Sequence, residues 1–325
     1  MEYRNLGRSG LQVSVVGLGC NNFGGRVDAA GTKAVVDQCI EEGITFFDTA
    51  DVYGSGLSEE YLGPALKPHR HDIVIATKAS APMGEGPYWR GTSRKYLIEA
   101  VDACLRRLDT DYIDLFQIHT PDANTPVEET LRALDDLVRA GKIRYIGNSN
   151  FFGWQIVEAE WTARTEHLTR FVSAQNEYNL LHRDIEAEIG PACEAYGLGL
   201  LPFFPLASGF LTGKYRPNQS APEGTRLSGG PGARTLNEGN FDKLMKLEKF
   251  AEDRGYTMIE LAFSWLASKP FVGSVIAGAT KPEQVTANAK AADWKLTDEE
   301  FDEVDEIMGF APVGQGGRAT PRPGR

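Results

Sequence analysis

Residues 112–149, YIDLFQIHTPDANTPVEETLRALDDLVRAGKIRYIGNS, contain one complete strand–helix–strand unit. The runs at 112–119 and 145–149 predict two strands, and their nearly continuous apolar character is typical of a parallel sheet that is covered on both faces. Between them, apolar residues recur at helical spacing and share one face of a predicted helix: Val127, Leu131, Leu134 and Val138. Gly141 can end that helix in a left-handed conformation.

The same alternation of strand and helix runs along the whole chain. Further strands are predicted at residues 14–18, 45–48, 73–78, 171–177, 199–203 and 273–277. Eight strand–helix units of this size favour one (β/α)8 barrel, a TIM barrel, over a doubly wound sheet.

Two segments lie outside the eightfold repeat. Residues 3–13 predict an N-terminal β-hairpin that plugs the floor of the barrel. Residues 298–307 predict extra C-terminal helix. We therefore expect a single barrel domain over residues 1–308, followed by a flexible tail at 309–325, which is rich in Pro, Gly and Arg.

The composition restricts the class of protein. The chain has 325 residues, of which 42% are hydrophobic, as is ordinary for a globular protein, and its net charge of −11 argues against nucleic-acid binding. No run approaches the roughly 18 apolar residues of a membrane span. No secretory signal is visible, so we expect a cytoplasmic location. The four cysteines form no C-x-x-C pair, and neither structural zinc nor a disulfide scaffold is expected.

Four ionisable side chains, Asp48, Tyr53, Lys78 and His119, end or closely follow consecutive predicted strands. Catalytic groups of a (β/α)8 barrel lie at the carboxyl ends of its strands. Each residue alone has an ordinary alternative explanation, such as a buried core histidine or a solvated lysine. Their joint placement at the ends of three consecutive strands indicates an active site.

These residue types suit the reduction of a carbonyl group, which needs a hydride on carbon and a proton on oxygen. A neighbouring ammonium is expected to lower the pKa of Tyr53 from about 10 by about 3, which corresponds to about 4 kcal/mol. Lys78 could supply that ammonium, and Asp48 would keep it charged. His119 could donate a hydrogen bond to the substrate oxygen.

Residues 47–59, FDTADVYGSGLSE, resemble the signature of the aldo-keto reductases, whose catalytic tetrad of Asp, Tyr, Lys and His maps onto the four residues above. The resemblance continues through residues 75–78, 117–119, 147–150 and 278–284, and so covers about residues 3–308. The sequence LTGKY at 211–215 places the chain nearer to the bacterial reductases and potassium-channel β-subunits than to the mammalian aldose reductases.

The resemblance implies a nicotinamide cofactor that lies across the mouth of the barrel, under the long Gly-, Pro- and Ser-rich loop at 207–240. A Rossmann fingerprint is absent, since Asn22 occupies its last glycine position. The implied cofactor contacts are Gly19, Cys20, Asn21, Asp48, Ser149, Asn150, Gln175, Phe203, Leu206, Ser208, Leu211, Lys214, Arg226, Gly278, Thr280, Gln284 and Asn288.

NADP(H) is favoured as the cofactor, while NAD(H) stays possible. Arg226 matches a loop arginine that reaches the 2′-phosphate in similar proteins, and Lys281 is a second cation. Gln284, however, stands where many family members carry an arginine for this phosphate. Alternatively, Gln284 only caps the eighth helix.

Loops above the strand ends set substrate specificity in this architecture. We expect an aromatic pocket for a small-molecule carbonyl substrate. Its predicted wall consists of Asn22, Phe23, Val52, Tyr53, Trp89, His119 and Phe151, with Tyr88 and Phe152 as further candidates.

Two other functions stay open at this point. The channel β-subunits show that this fold can serve as a cofactor-sensing regulatory subunit, although a complete tetrad favours an enzyme. A Schiff-base aldolase could use Lys78 as its nucleophile, but it would need a carboxylate-poor setting, which Asp48 opposes.

Overall fold

The computed structural model describes residues 1–222, 225–228 and 231–310. The chain begins with an antiparallel hairpin of β1 (Tyr3–Asn5) and β2 (Gln12–Ser14), as predicted. Leu6 and Val13 are fully buried and pack against the side chains that fill the inside of the barrel, which are Phe46, Val74, Ala76, Leu115, Leu201 and Ile276. The hairpin therefore closes the floor of the barrel.

Eight parallel strands form the predicted barrel sheet. They are β3 (Val16–Gly19), β4 (Phe46–Asp48), β5 (Val74–Ala79), β6 (Ile113–Ile118), β7 (Ile143–Ser149), β8 (Phe171–Gln175), β9 (Gly199–Leu200) and β10 (Val275–Gly278). The order in the sheet is β10-β3-β4-β5-β6-β7-β8-β9, so neighbours in sequence are also neighbours in space.

The barrel closes between β9 and the segment that leads into β10. The amide of Leu200 donates to the backbone oxygen of Phe271 at 2.7 Å, and the amide of Gly273 donates to that of Leu200 at 2.8 Å. Strand β9 is shorter than its predicted range of 199–203. Pro202 provides the physical reason, since it has no N–H to continue the ladder.

Ten α-helices surround the sheet within the described ranges. They are α1 (Ala29–Glu41), α2 (Leu57–Leu66), α3 (Arg94–Leu108), α4 (Val127–Arg139), α5 (Gly153–Thr165), α6 (Ile189–Tyr196), α7 (Glu238–Glu252), α8 (Met258–Ala267), α9 (Pro282–Lys290) and α10 (Asp298–Met308). Helices α7 and α10 pack on each other outside the ring formed by the other eight. In the part of the chain that the structure describes, no helix is long and apolar enough to cross a membrane.

In its described residues, the predicted long loop at 207–240 contains two short 3-10 turns, Ala207–Thr212 and Pro231–Thr235, before α7 begins at Glu238. At the other end, Thr297 caps α10 by accepting the amide of Glu300 at 3.2 Å. The expected flexible tail falls almost entirely on residues 311–325, which lie outside the described residues.

Candidate active site

The structure brings Asp48, Tyr53, Lys78 and His119 together at the mouth of the barrel. Asp48 ends β4, Lys78 lies in β5, and His119 follows β6, while Tyr53 begins a 3-10 turn after β4. The Lys78 Nζ atom donates to Asp48 Oδ2 at 2.6 Å and to the backbone oxygen of Thr49 at 2.8 Å. It lies 5.1 Å from the centroid of the Tyr53 ring. The Tyr53 and His119 rings meet edge to face with centroids 5.7 Å apart.

Two glutamines complete the surroundings of the buried Asp48 carboxylate. Gln117 and Gln175 donate their Nε2 hydrogens to Asp48 Oδ1 at 3.1 and 2.9 Å. Gln117 belongs to this buried network, although the sequence analysis does not predict it. It precedes His119 by two residues, and the two-residue period of a strand places it on the same inner face. That period is the signal that could have identified it.

Lys78 keeps its positive charge in this setting. Burial alone would lower its pKa, but Asp48 and the Tyr53 phenol raise it more, so the net direction is upward. The predicted role of Asp48, to hold the charge of the lysine, agrees with this geometry.

The pKa of Tyr53 departs from the expectation. Burial raises it, and although Lys78 lowers it as expected, the net direction is upward. The prediction of a lowered pKa is therefore wrong, because burial of the phenol outweighs the ammonium. At neutral pH, Tyr53 carries its proton and is in the form that can donate it.

His119 is neutral across the physiological range. Burial, together with the nearby Lys78 ammonium, lowers its pKa to about 3. Its Nδ1 atom has no hydrogen-bond partner among the described residues, and the side chain lines the cavity described next. A neutral imidazole can offer an N–H to a substrate oxygen.

A cavity of about 670 Å³ extends from Tyr53 and His119 across the mouth of the barrel. This volume lies in the range of small-molecule and cofactor sites, about 300–1,000 Å³. Most of the predicted cofactor contacts line it: Gly19, Asn21, Asp48, Ser149, Asn150, Gln175, Phe203, Leu206, Ser208, Lys214, Arg226, Gly278, Thr280, Gln284 and Asn288.

Two of the predicted cofactor contacts lie elsewhere. The Cys20 side chain is buried, and its Sγ atom is 3.6 Å from the backbone oxygen of Leu18, to which it donates. Leu211 is buried in the core with Phe210. Both side chains pack in the apolar core, and neither is part of the cavity lining.

Cationic side chains face the cavity from two walls. Arg226 donates to the side-chain oxygens of Asn21 at 3.2 Å and Asn22 at 3.0 Å, so the long loop crosses to the first strand–helix loop. Arg26, which sequence reasoning missed, lines the same cavity, as does Lys214. Burial lowers the pKa of Arg226, and the charge of Arg26 adds to this effect. Two neighbouring cations with only neutral acceptors among the described residues suit an anionic ligand.

The cavity also reaches the N-terminal end of α9. Gly278 allows the Asn22 side chain to pack closely, since a Cβ there would lie 2.9 Å from Asn22 Nδ2. Amides at a helix N-terminus favour anions. Gln284 Oε1 accepts the Thr280 amide at 2.7 Å, just before the first residue of α9. Lys281 is exposed and does not line the cavity.

The cavity includes only part of the predicted substrate wall. Asn22, Tyr53 and His119 line the cavity, whereas Phe23, Val52, Trp89 and Phe151 do not. Phe23 and Phe151 are buried in the core, and the Trp89 ring is 56% exposed, where it covers Gly84. The further candidates Tyr88 and Phe152 are also exposed and outside the cavity. Phe204, which was not predicted, provides an aromatic wall instead.

No cluster of three or more His, Cys, Asp or Glu side chains that could hold a metal ion exists among the described residues. Within the described residues, the groups available for chemistry are therefore the buried ion pair, the protonated phenol and the neutral imidazole. They lie beside the cation-lined cavity.

Comparison with known proteins agrees with this geometry. The chain is 40% identical over 323 residues to a "Probable voltage-gated potassium channel subunit beta" of Oryza sativa subsp. japonica, which covers 96% of this chain and 98% of that protein. It is 36% identical over 309 residues to an "L-glyceraldehyde 3-phosphate reductase" of Escherichia coli (strain K12), with 90% and 87% covered. An "Uncharacterized oxidoreductase" of Bacillus subtilis (strain 168) is 34% identical over 324 residues, with 95% and 96% covered. The sequence profile of the Aldo/keto reductase family matches residues 15–308, and the chain belongs to this family of oxidoreductases.

Proposed function

We propose that this protein reduces aldehydes or ketones to alcohols with NADP(H) and that Tyr53 donates the proton. One observation carries the proposal: a protonated Tyr53 lies beside the buried Lys78–Asp48 ion pair, at the end of a cavity of about 670 Å³. The coarser assignment, an oxidoreductase, follows from the family.

Side chains of this protein donate the proton and stabilise the charge that its transfer leaves behind. The reduced nicotinamide, when bound, supplies the hydride. Tyr53 protonates the carbonyl oxygen, and the negative charge that develops on the phenol oxygen is stabilised by the Lys78 ammonium. Asp48 holds that ammonium in place through its 2.6 Å hydrogen bond. The neutral His119 donates an N–H to the carbonyl oxygen and orients it. In the reverse direction, the Tyr53 phenolate takes the proton back.

The cavity supports NADP(H) as the preferred cofactor, with NAD(H) as a weaker one. Arg226, Arg26 and Lys214 provide three cations for the phosphates in a chain whose net charge is −11. Ser149, Asn150 and Gln175 provide amide and hydroxyl groups at the Tyr53 end, where we place the nicotinamide. Gln284 is neutral and accepts the Thr280 amide, which leaves Arg226 as the main candidate for the 2′-phosphate.

The alternatives are less well supported. An aldolase needs an uncharged amine, whereas Lys78 is an ion-paired ammonium. A cofactor-sensing regulatory subunit is suggested by the name of the Oryza sativa relative, yet all the groups needed for proton transfer are in place here. The cytoplasmic location stays a prediction.

The test is a screen of nicotinamide oxidation, followed by absorbance, across a panel of aldehydes and ketones with NADPH and with NADH. We expect oxidation that depends on the added carbonyl and is more efficient with NADPH. Reactions without a carbonyl are the control. Cofactor binding without turnover of any carbonyl would favour the regulatory subunit, and binding of neither cofactor would refute both readings.

A further inference from the structure

A buried ion pair lies directly behind the loop that carries Tyr53. Glu59, in the first turn of α2, is fully buried. Its Oε2 atom accepts the Nε hydrogen of Arg107 from α3 at 2.6 Å, and its Oε1 atom accepts the hydroxyl of Thr77 at 2.5 Å. Thr77 is the residue before Lys78 in β5. One carboxylate therefore connects α2, α3 and the strand that carries the lysine.

The loop that carries Tyr53 has three consecutive residues with positive φ angles. Gly54, Ser55 and Gly56 have φ angles of 58°, 56° and 98°, in the left-handed region that residues with a Cβ rarely adopt. A Cβ on Gly56 would lie 2.9 Å from Cδ of Arg107, so the loop rests on the arginine side chain. A conformation of this kind persists only where the surroundings enforce it.

Stability alone is a weak reason to keep such an ion pair. A buried pair is often no more stabilising than apolar residues of the same size, because the desolvation cost offsets the attraction. The pair instead fixes geometry, because the planar guanidinium and the carboxylate hold each other at defined distances and angles. The fixed groups here are the base of the Tyr53 loop and the residue next to Lys78.

We propose that Glu59 is a positioning residue, which acts through Arg107 and Thr77 to hold the Tyr53 phenol beside the Lys78 ammonium. The inference rests on the proposed role of Tyr53 as proton donor. Glu59 itself does not line the cavity and takes no part in the proton transfer.

Glu59→Met tests the proposal. The Arg107 side chain is 20% exposed and can regain water, so the variant does not leave a charge fully buried. We expect kcat to fall by about 10²-fold, the scale of a misplacement of about 1 Å, while the Kd for NADPH stays within about twofold of its original value.

Glu59→Gln is the conservative variant. The glutamine amide can accept from Arg107 and donate to Thr77, because a threonine hydroxyl both donates and accepts. We expect this variant to recover kcat to within about threefold of the original enzyme, because the loop regains both hydrogen bonds.

Glu160→Met is the matched control. The Glu160 side chain is 2% exposed and pairs with Arg164 at 2.6 Å and Arg170 at 2.7 Å, near the opposite end of the barrel. Glu160→Met should lower the free energy of unfolding about as much as Glu59→Met does. It should leave kcat per cofactor-binding site unchanged. If Glu59→Met also keeps its kcat, the pair is only structural and the proposal is overturned.

Hydrogen exchange provides a readout that needs no turnover. Amides of residues 53–57 should exchange faster in Glu59→Met than in the original chain or in Glu160→Met. Unchanged exchange would overturn the positioning role. Absence of carbonyl reduction in the original protein would refute the proposed function alone, and the exchange measurement would still decide the role of Glu59.

Discussion

Replacing Lys78 with methionine should slow the chemical step far more than it affects cofactor binding. The side chain is fully buried, and its ammonium lies 5.1 Å from the centre of the Tyr53 ring. Methionine keeps a similar volume and removes the charge. The change therefore removes the ammonium that stabilises the developing phenolate and leaves the Asp48 charge in place.

The structure sets the size of this effect. Taken as the charge separation, the 5.1 Å from the ammonium to the centre of the Tyr53 ring gives an attraction of about 3 kcal/mol at an effective dielectric constant of about 20. Each 1.36 kcal/mol, roughly, changes a rate tenfold, so the expected loss in kcat is about 200-fold. Among the described residues, the variant also leaves the buried Asp48 carboxylate with Gln117 and Gln175 as its side-chain donors. Breaking a buried pair in this way costs about 3–5 kcal/mol of unfolding free energy.

The assay is a single-turnover measurement of NADPH oxidation with saturating aldehyde, together with NADPH binding by fluorescence. The double variant Asp48→Asn/Lys78→Met is the control, because it removes both charges. It should recover most of the lost unfolding free energy in urea and none of the lost rate. A Lys78→Met enzyme that retains more than about a third of its rate would refute the reasoning, since this allows less than about 1 kcal/mol for the ammonium.

Three further predictions follow from the site and the barrel floor. Arg226→Ala should raise KM for NADPH by about 10-fold or more, the value of a charge-assisted hydrogen bond, and spare NADH; equal effects in steady-state kinetics would show that the 2′-phosphate binds elsewhere. His119 is neutral down to its pKa of about 3, so its NMR resonances should not titrate between about pH 8 and pH 5; a midpoint near 6.5 would contradict its burial. Leu6→Ala should lower the unfolding free energy by about 2–5 kcal/mol in urea, because the residue fills the barrel floor; a loss under about 1 kcal/mol would mean that the hairpin does not plug the barrel.

The sequence alone predicts the barrel fold and the placement of the four tetrad residues at one end of it. All parallel strands of a barrel have their carboxyl ends at the same face. A prediction of these strands therefore also predicts that Asp48, Lys78 and His119 lie close together. The hairpin prediction held for a similar reason, because two short strands separated by a glycine-containing turn have few other arrangements.

The loop side chains could not be predicted in the same way. Phe23 and Phe151 lie in loops, where no periodicity sets the direction of a side chain, and both turn inward to the core. The pKa of Tyr53 depends on how much protein covers the phenol, a property of the assembled barrel that no local pattern contains. The sequence alone does not single out Arg26, because its place in the site depends on its proximity to Arg226. Arg226 lies in a loop 200 positions further along the chain.

Tyr53→Phe examines the proton donor directly, because it removes one oxygen atom and leaves the ring, the loop and the cavity unchanged. Carbonyl reduction with NADPH should fall by about 10²–10⁴-fold, the contribution of a general acid, while NADPH binds with a Kd within about twofold of the original value. A variant that still reduces carbonyls at close to the original rate would show that the proton comes from another group.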